Sequence, residues 1–256
     1  MSISVFLFSP RAHVARPDAR ILEVRAEFVM IRASNMPKTI GILGGLGPAS
    51  SAHFYGRLIS VYKSRFKPTS NFDFPHIILN SISVPDLIDG DNSIKLEAYL
   101  DGLKMLEPTS DFLVIVCNSA HVYYDYFAKH VSKPIIDLRA EVKNELLKRG
   151  AKKVTVLATP TSIDAGLYLC HDFEYNTLSN DEVRFLGNLI KKLNIGDYVA
   201  EDVVDLQKLF RKYEDVSDVV ILGCTEIADV LNDYDSKKKV DTMDVLLHAT
   251  LREYAK

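Results

Sequence analysis

The sequence predicts an α/β protein built from two similar halves, and three observations carry that expectation. Short apolar runs rich in Val and Ile alternate with amphipathic stretches from Lys38 onward, the pattern of βαβ units around parallel sheets. Two stretches match: Asp111-Phe-Leu-Val-Ile-Val-Cys117-Asn118-Ser119 and Asp218-Val-Val-Ile-Leu-Gly-Cys224-Thr225-Glu226. A second pair matches as well, Lys38-Thr-Ile-Gly-Ile-Leu43 before a helix with Phe54-Tyr55 and Lys153-Val-Thr-Val-Leu157 before one with Leu167-Tyr168. In each half the first strand precedes its Cys-bearing strand by a similar interval, 43 to 117 and 157 to 224.

The predicted strands are 39–43, 76–80, 112–116, 134–136, 153–158, 173–177, 219–222 and 239–241. Each is a short run of branched apolar residues, as expected of strands buried on both faces. The predicted helices are 49–66, 93–106, 120–130, 138–149, 162–170, 181–193, 197–213, 226–231 and 243–254. These elements divide into an N-terminal extension over 1–36, a first α/β domain over 37–150 and a second over 151–242. The C-terminal helix, 243–256, is expected to pack back on the first half. The extension is briefly apolar before its arginines, the reverse of a secretory signal, and its acids argue against a transit peptide. It is expected to be mobile, or untranslated if synthesis begins at Met36.

A net charge of −3 and a pI near 6.2 leave no electrostatic footprint for nucleic acid. Three widely spaced cysteines form no disulfide framework, which points to a reducing cytoplasm. No apolar run approaches the ~18–20 residues of a membrane span.

Ligands of open α/β sheets bind beyond the carboxyl ends of strands, where Cys117 and Cys224 are expected. A lone cysteine there is commonly a small core hydrophobe. Two at equivalent positions point to chemistry, with helix-start N–H groups expected to favour the thiolates. A disulfide between them would need Cα atoms within ~7 Å and leave no room for a substrate.

The turn Gly44-Gly45-Leu46-Gly47-Pro48 lacks the spacing of a dinucleotide fingerprint and reads as a small-anion loop or a plain tight turn. Thr159, Thr161 and Ser162 around Pro160 supply a helix cap, with or without a role in binding a substrate carboxylate. Cys117 and His121 lack a third ligand nearby, so no metal is expected, and His121 is read as a hydrogen-bonded helix-start residue. Cys170 is read as structural and Lys191-Lys192 as a solvated helix end.

Taken together, Ile40-Gly-Ile-Leu-Gly-Gly-Leu-Gly-Pro48, Cys117-Asn-Ser-Ala-His121 and Leu222-Gly-Cys-Thr-Glu-Ile227 resemble the aspartate/glutamate racemase family, in its branch that lacks pyridoxal phosphate. The resemblance spans about 38–251. It implies two pseudo-symmetric α/β domains with the site between them, a homodimer, no cofactor and an amino-acid substrate, foremost aspartate or glutamate. By resemblance Cys117 and Cys224 are two opposed acid–base groups, and Asn118, Ser119, Ser162 and Thr225 supply donors to the substrate. Glu226 completes the second motif, and Lys191 aligns best with a side-chain-binding lysine. Three departures stand out. Leu87 occupies the place of a carboxylate-binding arginine after Val84-Pro85-Asp86. Ser119 replaces threonine. Ala158-Thr-Pro-Thr-Ser162 lacks a glycine. Leu87 also admits a broad racemase of neutral amino acids. A maleate-isomerase-like enzyme and a non-catalytic small-molecule binder remain alternatives on the same scaffold.

Overall fold

The computed structural model describes residues 37–88 and 96–256, so the N-terminal extension lies outside the described residues. Residues 38–256 form one compact unit. Within it β1 (Ile40–Gly44), α1 (Pro48–Phe66), β2 (Ile77–Ser81), α2 (Leu96–Leu106) and β3 (Phe112–Ile115) come first. A 3-10 turn over Ser119–Tyr123 then runs into α3 (Tyr124–His130), followed by α4 (Leu138–Lys148). The second series is β4 (Lys153–Ala158), α5 (Pro160–Asp164), β5 (Glu174–Asn176), α6 (Asn180–Ile195), α7 (Ala200–Glu214), β6 (Val219–Gly223), α8 (Thr225–Val230), β7 (Lys239–Asp241) and α9 (Thr242–Tyr254).

Two parallel sheets result, ordered β2-β1-β3 and β5-β4-β6-β7. In each, the strand leading into a cysteine pairs with the first strand of its half, Leu43 opposite Ile115 and Ala158 opposite Gly223. The sheets explain why every residue of β1, β3 and β6 is buried. Side chains alternate along a strand. Ile40, Ile42, Phe112 and Val114 therefore face one cluster, which also takes Val154, Val219 and Ile221 from the second sheet and Met243, Leu246 and Leu251 from α9. Leu43, Leu113 and Ile115 face a second cluster with α2 and Phe127, and Leu157, Val220 and Leu222 face a third with α6 and α7. One face of each sheet thus joins a shared core, which α9 closes by packing on α1 and α4.

Two predicted elements differ. The strand at 134–136 is a single bridge, Leu113 opposite Ile135, because Pro134 has no N–H to extend a ladder. The helix predicted over 162–170 stops at Asp164, since Gly166 takes a left-handed φ of 62° and the following residues turn away. Helix α2 is described over Leu96–Leu106, and its predicted start at 93 falls outside the described residues. Elsewhere the ends move by up to four residues, the largest move being at α3, where the predicted start at 120 falls in the 3-10 turn.

Candidate active site

Both cysteines stand at the carboxyl ends of their strands, Cys117 two residues past β3 and Cys224 immediately past β6 as the N-cap of α8. They line one narrow cleft with Leu46, Val84, Asp86, Leu87, Ile88, Tyr99, Asn118, Ser119, Thr159, Ile190, Asn194, Thr225 and Glu226. Both are free thiols. The cavity measures about 30 Å³, room for a water or two.

Around Cys224 the polar contacts converge on one carboxylate. The Cys224 thiol donates to Glu226 Oε2 at 3.1 Å, and Thr225 Oγ1 donates to the same oxygen at 2.7 Å. Ser50 of α1 donates to Glu226 Oε1 at 2.9 Å, so Glu226 ties the start of α8 to the start of α1. Gly47 makes room for it: a Cβ at that position would sit 2.2 Å from Glu226 Oε1.

At the other thiol, backbone N–H groups of Ala120 and Ser119 point at the Cys117 sulfur. Asn118 beside it accepts a hydrogen bond from Tyr168, whose ring is buried. Behind them Ser119 Oγ lies 2.8 Å from Thr159 Oγ1 and 3.2 Å from Ser162 Oγ. Thr159 caps α5 through the Ser162 N–H at 3.2 Å, so cap and cleft wall are one cluster.

Burial decides the state of the thiols. It pushes Cys117 up to about 12, against the pull of the Ala120 and Ser119 N–H groups. Some of the Cys117 surface opens to the cleft, but protein atoms crowd the thiol, and crowding disfavours the thiolate. Cys224 goes well above the ordinary thiol value, through burial first and then the Glu226 carboxylate. The expectation that helix-start N–H groups lower these thiols is therefore corrected: the groups are in place, and desolvation outweighs them.

A stability consequence follows. A thiol raised in the folded state keeps its proton at a pH where the unfolded chain, near 8.5, has lost it. The stabilisation is complete below pH ~8.5 and declines as pH rises toward the folded value. Each buried thiol contributes a loss of about 1.4 kcal/mol per pH unit in that window. Denaturant unfolding at pH 8 and 9.5 should show a smaller alkaline loss for Cys117→Ala/Cys224→Ala than for the parent chain. Equal losses would contradict the raised thiols.

The structure sorts the remaining candidates. Leu46, Asn118, Ser119, Thr159, Thr225 and Glu226 line the cleft, and Ser162 supports it from behind. Gly45 lies instead on an adjoining groove, its N–H bonded to Ser51 Oγ at 2.9 Å rather than presented to an anion. Thr161 is not among the cleft-lining residues, and its N–H donates to Ile88 O at 3.1 Å, fixing the chain after Leu87. Lys191 is exposed and does not line the cleft. Helix α6 turns Ile190 and Asn194 inward, four residues apart on one face. Lys192 pairs with Asp202 at 2.8 Å. His121 is buried, its Nε2–H donating to Ile115 O at 3.3 Å, and burial lowers it to about 4, leaving it neutral.

Tyr168, Asp86 and Asn194 are the residues that sequence reasoning missed. Tyr168 served only to align the repeats, and the spacing of Asp86 and Asn194 gives no sign that they share a wall. Asp86 and Glu226 are the charged side chains on the described wall of the cleft.

The sequence model for Asp/Glu/Hydantoin racemase matches residues 43–250. The chain belongs to that family and is a racemase, an isomerase by class. The broad specificity amino-acid racemase RacX of Bacillus subtilis (strain 168) is 27% identical over 222 residues, covering 84% of this chain and 97% of that protein. Aspartate racemase from Picrophilus torridus shares the fold with a TM-score of 0.72 at 21% identity, over 86% of this chain and 95% of that one. An aspartate racemase homologue from Pyrococcus horikoshii OT3 gives 0.69 at 22%, over 86% and 100%. No helix among the described residues is long and apolar enough to cross a membrane.

Proposed function

We propose that the protein is a cofactor-independent amino-acid racemase in which Cys117 and Cys224 exchange the α-proton, and that its substrates carry non-acidic side chains. The observation that carries this reading is the placement of two free thiols, from matching strand ends, on one cleft.

The chemistry balances without a redox step. One sulfur, as thiolate, takes the proton from the α-carbon and becomes a thiol. The opposite thiol gives its proton to the other face of the carbanion and becomes a thiolate, so the enzyme ends in the mirror protonation state. Both thiols receive two backbone N–H groups, so it is the hydrogen bond from Cys224 to the Glu226 carboxylate that favours the protonated thiol there. The resting pair is thus thiolate Cys117 and thiol Cys224 in the competent form. Charge developing on the substrate carboxylate falls to preorganised donors at Asn118 and Ser119, each worth on the order of 3 kcal/mol where such donors have been removed.

An acidic substrate was the first expectation from the family. Support for a broader specificity comes from Leu87, which is buried on the cleft wall where the resemblance places an arginine, and from exposed Lys191. The broad-specificity relative points the same way.

The rate should carry the signature of the raised thiols. Activity in kcat/KM is expected to rise about tenfold per pH unit between pH 7 and 8.5, because the thiolate is the minor form throughout. A flat profile would mean that the reacting base ionises below neutrality. The direct test is proton NMR of L-amino acids in D₂O with purified protein and reductant. Loss of the α-proton signal with appearance of the D-enantiomer is expected for non-acidic substrates. Exchange confined to aspartate and glutamate would restore the acidic reading, and no exchange with any amino acid would overturn the proposal.

A further inference from the structure

The Glu226 carboxylate is held at the Cys224 thiol from two sides. Thr225 Oγ1 and the thiol itself donate to Oε2, at 2.7 and 3.1 Å, from the same turn of chain. Ser50 Oγ donates to Oε1 at 2.9 Å, and Ser50 belongs to α1 in the first half, 176 residues away in sequence. Ser50 is buried, so bulk solvent does not compete for its hydroxyl.

The same seam continues along α1. Ser50, His53 and Arg57 share one face at spacings of three and four. His53 pairs with Asp229 of α8 at 2.5 Å, and Arg57 pairs with Asp241 at 3.0 Å and with Asp244. These pairs fix α1 in register with α8 and α9, and the Ser50 contact lies at the end nearest the thiol. There the partner is a neutral hydroxyl, whereas the other two are basic. A cation opposite Glu226 would cancel the negative charge that the thiol meets. A hydroxyl fixes the direction of the carboxylate and leaves its charge in place.

We propose that Ser50 is a positioning residue for the proton transfer: from the other half of the chain it aims the Glu226 carboxylate at Cys224 and keeps that thiol in its proton-donating form. The inference rests on the racemase reading above and adds the group that sets the roles of the two sulfurs. Without the Ser50 bond the carboxylate is held at one oxygen only, and Cys224 loses the fixed neighbour that disfavours its thiolate.

The experiment labels the two thiols with iodoacetamide at about pH 8.5 and reads each by peptide mass mapping, in the parent chain, Ser50→Ala and Ser50→Thr. Alkylation consumes the thiolate, so the rate at each sulfur follows its ionised fraction. Cys117 lines the same cleft and reports any change in access. In Ser50→Ala we expect Cys224 to react about tenfold faster and Cys117 at the parent rate. Turnover of an amino-acid substrate should show kcat lower by about tenfold with KM within about twofold, since Ser50 acts through Glu226 and not on the substrate. Ser50→Thr keeps the hydroxyl and should match the parent in both assays. Parent-like labelling of Cys224 in Ser50→Ala overturns the positioning role, as does equal acceleration at both thiols, which would mean a loosened cleft. Faster labelling of Cys224 alone, in a protein whose parent racemises no amino acid, leaves the hold of Ser50 on the thiol standing and overturns the racemase reading.

Discussion

Replacing Cys117 or Cys224 by alanine is expected to lower kcat by three to four orders of magnitude, about the same for either cysteine and for both together. The reason is the reaction's symmetry. A racemase must remove a proton from one face and supply one to the other, and each sulfur performs one of these acts in each direction. Loss of a positioned acid or base costs about 10²–10⁴-fold, and groups that act as a unit are far from additive. Serine is no rescue, because a hydroxyl is a far weaker acid than a thiol. The fold should survive: Cys224 packs beside Ile227, Ala228 and Leu231, and trimming one sulfur leaves a small void costing about 1 kcal/mol. Steady-state rates in both directions, with a melting curve for each variant, check the claim. Retention of even a tenth of the parent rate by either variant would show that its sulfur is not one of the two proton carriers.

Gly45→Ala is expected to destabilise the protein by about 3 kcal/mol or more, the largest effect on stability among single substitutions at the site. Gly45 has φ +88°, and a Cβ there would lie 2.2 Å from Ile82 O and 2.6 Å from Ile82 N. Both are backbone atoms in the stretch leaving β2, where Ile82 N–H donates to Gly44 O at 3.1 Å, so neither can move without breaking the end of the sheet. Gly47→Ala makes the contrast. Its added carbon clashes with the tip of Glu226, a flexible group, so the cost in stability is about 1–3 kcal/mol from the backbone conformation, φ 48° and ψ 118°. Its cost in activity should be greater, since displaced Glu226 no longer holds the Cys224 thiol. Denaturant unfolding and steady-state assays of the two variants separate these effects. Equal destabilisation by both would contradict the distinction.

Much of this architecture was legible before any coordinates. Runs such as Phe112–Ile115 and Val219–Gly223 are apolar on both sides because each face meets a different core cluster, and continuous burial of that kind is visible in composition. The paired cysteines were legible because the chain repeats the strand that carries them. What failed depended on distance in space. Lys191 aligns with a side-chain-binding lysine in sequence, while helical phase brings Ile190 and Asn194 onto the cleft wall, which the alignment does not show. Gly166 ended a helix whose pattern continues to Cys170. Asp86 and Tyr168 reach the site from remote segments, and no local pattern marks them. The thiols themselves reversed the expected direction, because the number of atoms crowding a sulfur is a property of packing, and at Cys117 and Cys224 it outweighs the N–H groups that the sequence foretold.

The central claim is that two different sulfurs handle the proton. It is tested most directly by following a single L-enantiomer of an amino acid that the enzyme turns over, in D₂O at low conversion. Cys117 and Cys224 acting from opposite faces predict that the D-product carries solvent deuterium from the first turnovers while recovered L-substrate keeps its α-proton. Deuterium appearing equally in substrate and product, or product retaining the original proton, would contradict the two-thiol account.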